Sequence, residues 1–123
     1  MKQAPGQFRI DHQESEAGIV VVKLAGKMML GTESQRVETL IPELIAQGHR
    51  RFIFDVSEVT HIDSTGIGRF IFALNVVMQA GGRMCLAGAA GYVREGFRVT
   101  RLDTVFQFAP DVEAARKYLA PGN

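Results

Sequence analysis

Arg51-Phe52-Ile53-Phe54-Asp55-Val56-Ser57-Glu58-Val59-Thr60-His61-Ile62-Asp63-Ser64-Thr65-Gly66-Ile67-Gly68 is the stretch that decides how this chain folds. Phe52 to Val56 is a near-continuous apolar run, the composition of a central strand covered on both faces. From Gly66 to Ala80 the pattern changes to that of an amphipathic helix. Ile67, Phe70, Ile71, Leu74, Val77 and Met78 recur at three- and four-residue spacing and predict one core-facing stripe, stopped by Gly81-Gly82. Between strand and helix, His61 to Gly68 holds an acid, two hydroxyls and two glycines. In an open α/β sheet a loop between the carboxyl end of a strand and a helix is where functional residues collect.

Upstream, Phe8 to His12 alternates apolar and polar residues and reads as a half-exposed edge strand. After a turn ending at Gly18, the β-branched run Ile19 to Ala25 reads as its hairpin partner. Gly26 to Gly31 reads as a loop carrying Met28, Met29 and Leu30. Thr32 as N-cap with Gln35 three residues on forms a capping box, and Val37, Leu40, Ile41, Leu44 and Ile45 give the next buried helical stripe. Pro42 falls inside that helix on its solvent side, where a kink is expected. Downstream come a strand over Met84 to Ala87, a short helix over Gly91 to Val99 anchored by Val93 and Phe97, and a strand over Val105 to Phe108. A last helix, opened by Pro110-Asp111, turns Val112, Ala115 and Leu119 inward. The order β-β-α-β-α-β-α-β-α predicts a single α/β domain over residues 8–119, with a mixed, mostly parallel sheet of about five strands flanked by helices. Residues 1–7 and 120–123 read as flexible ends.

Composition narrows the function classes. A chain of 123 residues, 46% apolar and 22% charged, is long enough for one well-packed core. Its formal net charge of +1 and the lack of a basic stripe argue against nucleic acid as a partner. The small excess at Arg94, Arg98 and Arg101 reads as a solvated face. The single cysteine, Cys85, lies in an apolar strand and reads as a small core residue in a reducing compartment. Met1 to Gln7 has no apolar region of a signal peptide. The longest apolar stretch, Ile67 to Met78, is too short for a membrane span and contains Arg69 and Asn75. These features predict a soluble, cytoplasmic protein; a monomer or weak dimer is expected, and no feature of the sequence decides between the two.

The polar loop can be tested against known chemistries. Asp63-Ser64-Thr65-Gly66 has the Asp-x-x-Gly spacing of a GTPase switch, but the G-x-x-x-x-G-K-[ST] phosphate loop is absent. Ser64 is not in a G-x-S-x-G elbow, and nothing in the sequence orients His61 as its base. No His, Cys or carboxylate spacing matches a metal site, and no cofactor is implied. At the first turn of a helix, Asp63 or Ser64 serves as N-cap, where free N–H groups and the positive end of the helix dipole converge. The remaining reading makes Ser64 a substrate: an exposed hydroxyl to which a kinase adds about −1.5 to −2 charges. The helix end tolerates that charge, so the switch acts on a partner's surface.

Phe52 to Gly68, taken with Gly18 to Gly26, Gln79 to Met84 and Leu102 to Phe106, strongly resembles STAS domains, specifically the bacterial anti-sigma factor antagonists. The resemblance implies a mixed sheet flanked by helices and no enzymatic activity. It implies that Ser64 is phosphorylated by an anti-sigma factor with serine kinase activity and dephosphorylated by a PP2C-type phosphatase. It also implies that only the unphosphorylated chain binds the anti-sigma factor. Asp63, Thr65 and Gly66 then border the switch. A second stripe on the helix, Thr65, Arg69, Phe72 and Val76, reads in two ways: as partner surface extended by Met28 and Met29, or as side chains packed against a neighbouring helix with the methionines filling gaps in the core. One residue departs from the family pattern. Gly-x-[Leu/Ile]-Asp is usual after the second strand, and here Gly26-Lys27-Met28-Met29 puts Met29 where the acid stands, with Glu33 as a candidate substitute. The alternative left open is a STAS interaction subunit of another assembly, a stressosome or a lipid-transport complex, in which Ser64 is only a cap.

Overall fold

The computed structural model describes residues 7–15 and 17–120. Along these residues the elements are β1 (Arg9–Glu14), β2 (Ile19–Met28), α1 (Arg36–Ala46), β3 (Arg51–Ile62), α2 (Ser64–Gln79), β4 (Arg83–Ala87), α3 (Gly91–Val99), β5 (Phe108–Ala109) and α4 (Val112–Leu119). The strands form one sheet in the order β1-β2-β3-β4-β5, with β1 antiparallel to β2 and every other neighbouring pair parallel. Element order, sheet composition and the edge position of β1 match the sequence reading. Of the two segments expected to be flexible ends, residues 1–6 and 121–123 lie outside the described residues.

The two-residue period of a strand divides the sheet into two cores. Val20, Phe52 and Met84 fall in one row across β2, β3 and β4, and Val22, Phe54 and Leu86 in the next. These side chains meet Val37, Ile41 and Leu44 of α1, Phe70, Ala73 and Val77 of α2, and Val93 and Phe97 of α3. The alternate residues Ile19, Ile53, Cys85 and Ala87 point to the opposite face, where Ala115 and Leu119 of α4 cover them. The apolar run of β3 is explained: this strand is clothed on both sides. A chain of ring contacts knits the larger core. Phe54 meets Phe70 edge to face at 5.8 Å, Phe70 meets Phe97 at 5.7 Å, and Phe97 touches Phe106 and Phe108 at 5.2 and 5.4 Å. Cys85 is buried and free, and burial, slightly offset by Arg83, pushes its thiol up to about 11, so it is inert.

Several expected boundaries move. β2 runs to Met28 and β3 to Ile62, well past Ala25 and Val56. Their pairing slips at Lys23/Ala25 and again at Gly26/Lys27, each time with one extra residue on β3. Such bulges break the alternation that marks a strand in sequence, while the hydrogen-bonded ladder continues. The capping box at Thr32 does not form. α1 begins at Arg36 behind Gln35, whose side chain makes no cap bond, and it continues through Pro42. Thr32 instead closes a turn, its hydroxyl donating to the Met29 carbonyl at 2.8 Å and accepting from the Met29 N–H at 3.2 Å. α2 starts two residues earlier than read. Its outer face carries Ile71 and Met78, 37% and 62% exposed, which were expected in the core; Ala73 takes the buried place. β5 is only Phe108–Ala109, because Val105 is exposed and Phe106 anchors a turn to the core.

Candidate functional site at the β3–α2 corner

The long paired ends of β2 and β3 bring the 28–32 turn beside Asp63. Met28 is the last residue of β2 and pairs with Ile62, the last of β3. One residue later, Asp63 leaves the strand in an extended conformation and becomes the N-cap of α2. Its N–H donates to the Met28 carbonyl at 3.3 Å, and its own carbonyl accepts from Ile67 at 2.9 Å. Its carboxylate is shared between two directions: Oδ1 accepts from the Gly66 N–H at 3.0 Å, and Oδ2 accepts from the Leu30 N–H at 2.9 Å. Asp63 therefore closes the helix and holds the turn after β2. Partial removal from water, the largest single influence on the group, works to raise its pKa. Hydrogen bonds from the N–H groups of Leu30, Gly66, Thr65 and Asp63 itself together outweigh this and hold the carboxyl below its ordinary value.

Ser64 is the first residue of α2 and is exposed, its hydroxyl making no hydrogen bond to any described residue. Thr65 is half-buried. Gly66 is buried against the end of β2. A Cβ there would fall on the Met28 carbonyl oxygen and lie 2.8 Å from Ile62 Cγ1, so only glycine lets the helix start this close to the strand. Gly68, two residues on, has nothing within 4 Å of where its Cβ would be. The two glycines thus differ: the first is required by the chain's own packing, the second is not.

The remaining residues singled out in the sequence separate into surface and interior. Met28 is fully buried, so its side chain belongs to the core and not to a partner surface. Met29 is half-buried and Glu33 exposed. Arg69 is turned toward α1, with Nη1 at 2.8 Å from Glu38 Oε2 and Nε donating to the buried Ser34 hydroxyl at 3.3 Å. The stripe it shares with Phe72 and Val76 is half-buried on that side of α2. The exposed side of α2 instead carries Ser64, Gly68, Ile71, Asn75 and Met78, which lie three and four residues apart. His61 is exposed, its Nδ1 3.0 Å from Thr60 Oγ1 and its ring stacked on Tyr92 with centroids 6.4 Å apart. No hydrogen bond joins it to Ser64, whose hydroxyl is bonded to no base among the described residues.

Leu30 and Tyr92 escaped the sequence reading as site residues. They are 81% and 79% exposed, and each is in contact with the corner, Leu30 through Asp63 and Tyr92 through His61. A lone leucine in a turn, or a lone tyrosine at the start of a helix, carries no signal until the fold shows what it lies beside. The small arginine excess is a solvated face: Arg98 pairs with Glu95, and Arg94 lies over the Phe108 ring at 3.9 Å. Among the described residues no group of three or more His, Cys, Asp or Glu could hold a metal, and no helix is long and apolar enough to cross a membrane.

The chain is similar in sequence and fold to known proteins. The STAS domain model matches residues 12–115. An anti-sigma factor antagonist by name, BtrV of Bordetella bronchiseptica, is 29% identical over 101 residues, which span 80% of this chain and 84% of that protein. Among solved structures, an anti-sigma factor antagonist from Mycobacterium paratuberculosis superposes with a TM-score of 0.81 at 19% identity, covering 96% of this chain and 98% of that one. The Bacillus cell fate determinant SpoIIAA in its phosphorylated form gives a TM-score of 0.69 at 20% identity, covering 89% and 99%. At those identities the two structures speak for the fold alone.

Proposed function

The chain belongs to the STAS domain family, and from that premise we propose that it is an anti-sigma factor antagonist that switches partners through Ser64. Unphosphorylated, it binds an anti-sigma factor with serine kinase activity in the cytoplasm. Phosphorylated, it releases that partner, and a PP2C-type phosphatase resets it. The chain performs no chemistry of its own; Ser64 is acted upon.

The observation that carries this reading is the state of Ser64. It is exposed at the first position of α2, and its hydroxyl is unengaged by the described residues. A phosphate there meets the positive end of the helix dipole, which lowers its cost to the fold. The Asp63 carboxylate next to it already occupies the Gly66 and Leu30 N–H groups, so the added charge stays on the surface a partner meets. A negative charge at a surface shaped for a neutral hydroxyl repels or desolvates badly against that partner. The phosphorylated form of SpoIIAA, on a similar fold, supports the idea that such a domain carries phosphate.

The test is direct. The chain is incubated with ATP and the serine-kinase anti-sigma factor of its own organism, and peptides are analysed by mass spectrometry. Phosphate on Ser64, its absence from Ser64→Ala, and loss of anti-sigma factor binding in Ser64→Asp are expected. Phosphate elsewhere only, or Ser64→Asp binding as tightly as the unmodified chain, overturns the switch.

A further inference from the structure

We infer that Leu30 is an apolar anchor for the partner that reads Ser64, and that Asp63 is the positioning residue that holds Leu30 in place. This rests on the switch proposed above and names the surface that the partner covers. Leu30 is 81% exposed in a turn whose backbone is nonetheless held at several points. Its N–H donates to Asp63 Oδ2 at 2.9 Å, and Thr32 bonds both polar groups of Met29 beside it. The chain end of β2 is tied to the same corner by the Asp63 N–H at the Met28 carbonyl. A large apolar side chain projecting from a fixed backbone loses little freedom on binding, which makes it an effective contact. Leu30 is also connected to the residue directly before Ser64 by a single hydrogen bond, so a protein surface that covers the Ser64 hydroxyl reaches Leu30. The partner that fits is a protein with an apolar recess next to the groups that read Ser64. Half-buried Met29 on the same turn offers that recess no charge.

The two roles are separable. In Asp63→Asn the side-chain oxygen still caps Gly66, since asparagine is as good an N-cap as aspartate, while the amide group presents a donor to the Leu30 N–H. The helix end stays closed and only the turn is released. Hydrogen exchange should then accelerate at least about tenfold at the Leu30 amide, with Gly66 and Ile67 remaining protected. Binding to the serine-kinase anti-sigma factor, the probe of the preceding test, should weaken about tenfold or more in Leu30→Ala, the loss expected from one buried leucine. It should weaken several-fold in Asp63→Asn. The decisive measurement is the pair: if Asp63 acts through Leu30, adding Asp63→Asn to Leu30→Ala weakens binding no further, whereas a role in fold stability alone adds its effect in both backgrounds.

An unchanged Leu30 amide in Asp63→Asn, wild-type binding by Leu30→Ala, or full additivity of the two substitutions overturns the inference. The outcome of Ser64→Asp in the same assay separates the two claims. If Ser64→Asp loses binding and Leu30→Ala does not, the switch stands and the anchor falls. If Ser64→Asp binds normally, the switch has failed first, and the inference with it.

Discussion

At the β3–α2 corner a single residue, Asp63, separates strand from helix and closes the helix end with its carboxylate; at the β4–α3 corner Gly88, Ala89 and Ala90 intervene, and α3 starts behind an alanine with no side-chain cap. The two corners lie at the same end of neighbouring parallel strands. The second takes its shape from glycine dihedrals, Gly88 at φ +80 and Gly91 at φ +54. Gly88 lies close against Ser57, its N–H donates to the Ala109 carbonyl at 3.0 Å, and no side chain caps the helix there. The first takes its shape from packing and side-chain bonds: Gly66 pressed against β2, and Asp63 reaching Gly66 in one direction and Leu30 in the other. A corner made by glycine dihedrals connects two elements. A corner closed by a side chain that bonds both the helix and the neighbouring turn also fixes what it displays, and what it displays is Ser64.

The sharpest way to break this contrast is at the glycines. Gly66→Ala drives a methyl into the Met28 carbonyl and Ile62, and neither backbone nor strand end can move aside, so a loss of about 3 kcal/mol is expected. Gly91→Ala meets no atom within 4 Å and suffers only its left-handed backbone, a loss of about 1 kcal/mol. Urea denaturation of the two variants measures both. Equal losses would mean that the β3–α2 corner is no more tightly packed than its neighbour.

The caps come next. Asp63→Ala removes the Gly66 and Leu30 bonds together and should cost about 1–2 kcal/mol at neutral pH. The sign of its pH dependence follows from the lowered pKa. A carboxylate whose folded pKa lies below its unfolded value stabilises the fold fully above the unfolded value, and that contribution is lost as pH falls through the folded one. The gap in stability between wild type and Asp63→Ala should therefore shrink as pH falls below the ordinary carboxylate range, measured by thermal unfolding between pH 7 and 3. In the other corner the reverse experiment applies. Ala90 already has the extended conformation of an N-cap, so Ala90→Asp should add about 0.5–1 kcal/mol by giving α3 the closure that α2 has.

The contrast also explains what could be read in advance. The alternation of β1, the two-faced apolar run of β3 and the stripes of α1 and α3 stand in the sequence because each depends on one period held over one element. The β3–α2 corner was legible as a polar loop at a helix start for the same reason, and Ser64 within it. The bonds that give it meaning were not. The Asp63–Leu30 bond joins residues 33 apart, and the continuation of β2 and β3 that makes it possible runs through two bulges that erase the period. Ile71 and Met78 satisfy the spacing of a buried stripe, yet they face outward because the sheet and α1 together leave that side of α2 uncovered. Thr32 and Gln35 spell a capping box, but the turn from Met29 to Thr32 takes the hydroxyl first. Arg69 reads as a free cation until Glu38 and Ser34 of the neighbouring segment are placed beside it.

The smallest effect bears on where the rigid corner ends. Gly68 lies one turn into α2, on the same exposed side as Ser64, with φ in the ordinary range and open space at its Cβ position. Glycine inside a helix is less stable than alanine there by up to about 1 kcal/mol, chiefly through the freedom it gives the unfolded chain. If the demands of the corner stop at Gly66, Gly68→Ala should stabilise the fold by about 0.5–1 kcal/mol and raise the unfolding temperature. Loss of stability would mean that the tight packing extends a further turn along α2. The expected gain, set against the expected loss at Gly66 two residues earlier, locates the boundary between the part of the motif the fold requires and the part it leaves open at the surface around Ser64.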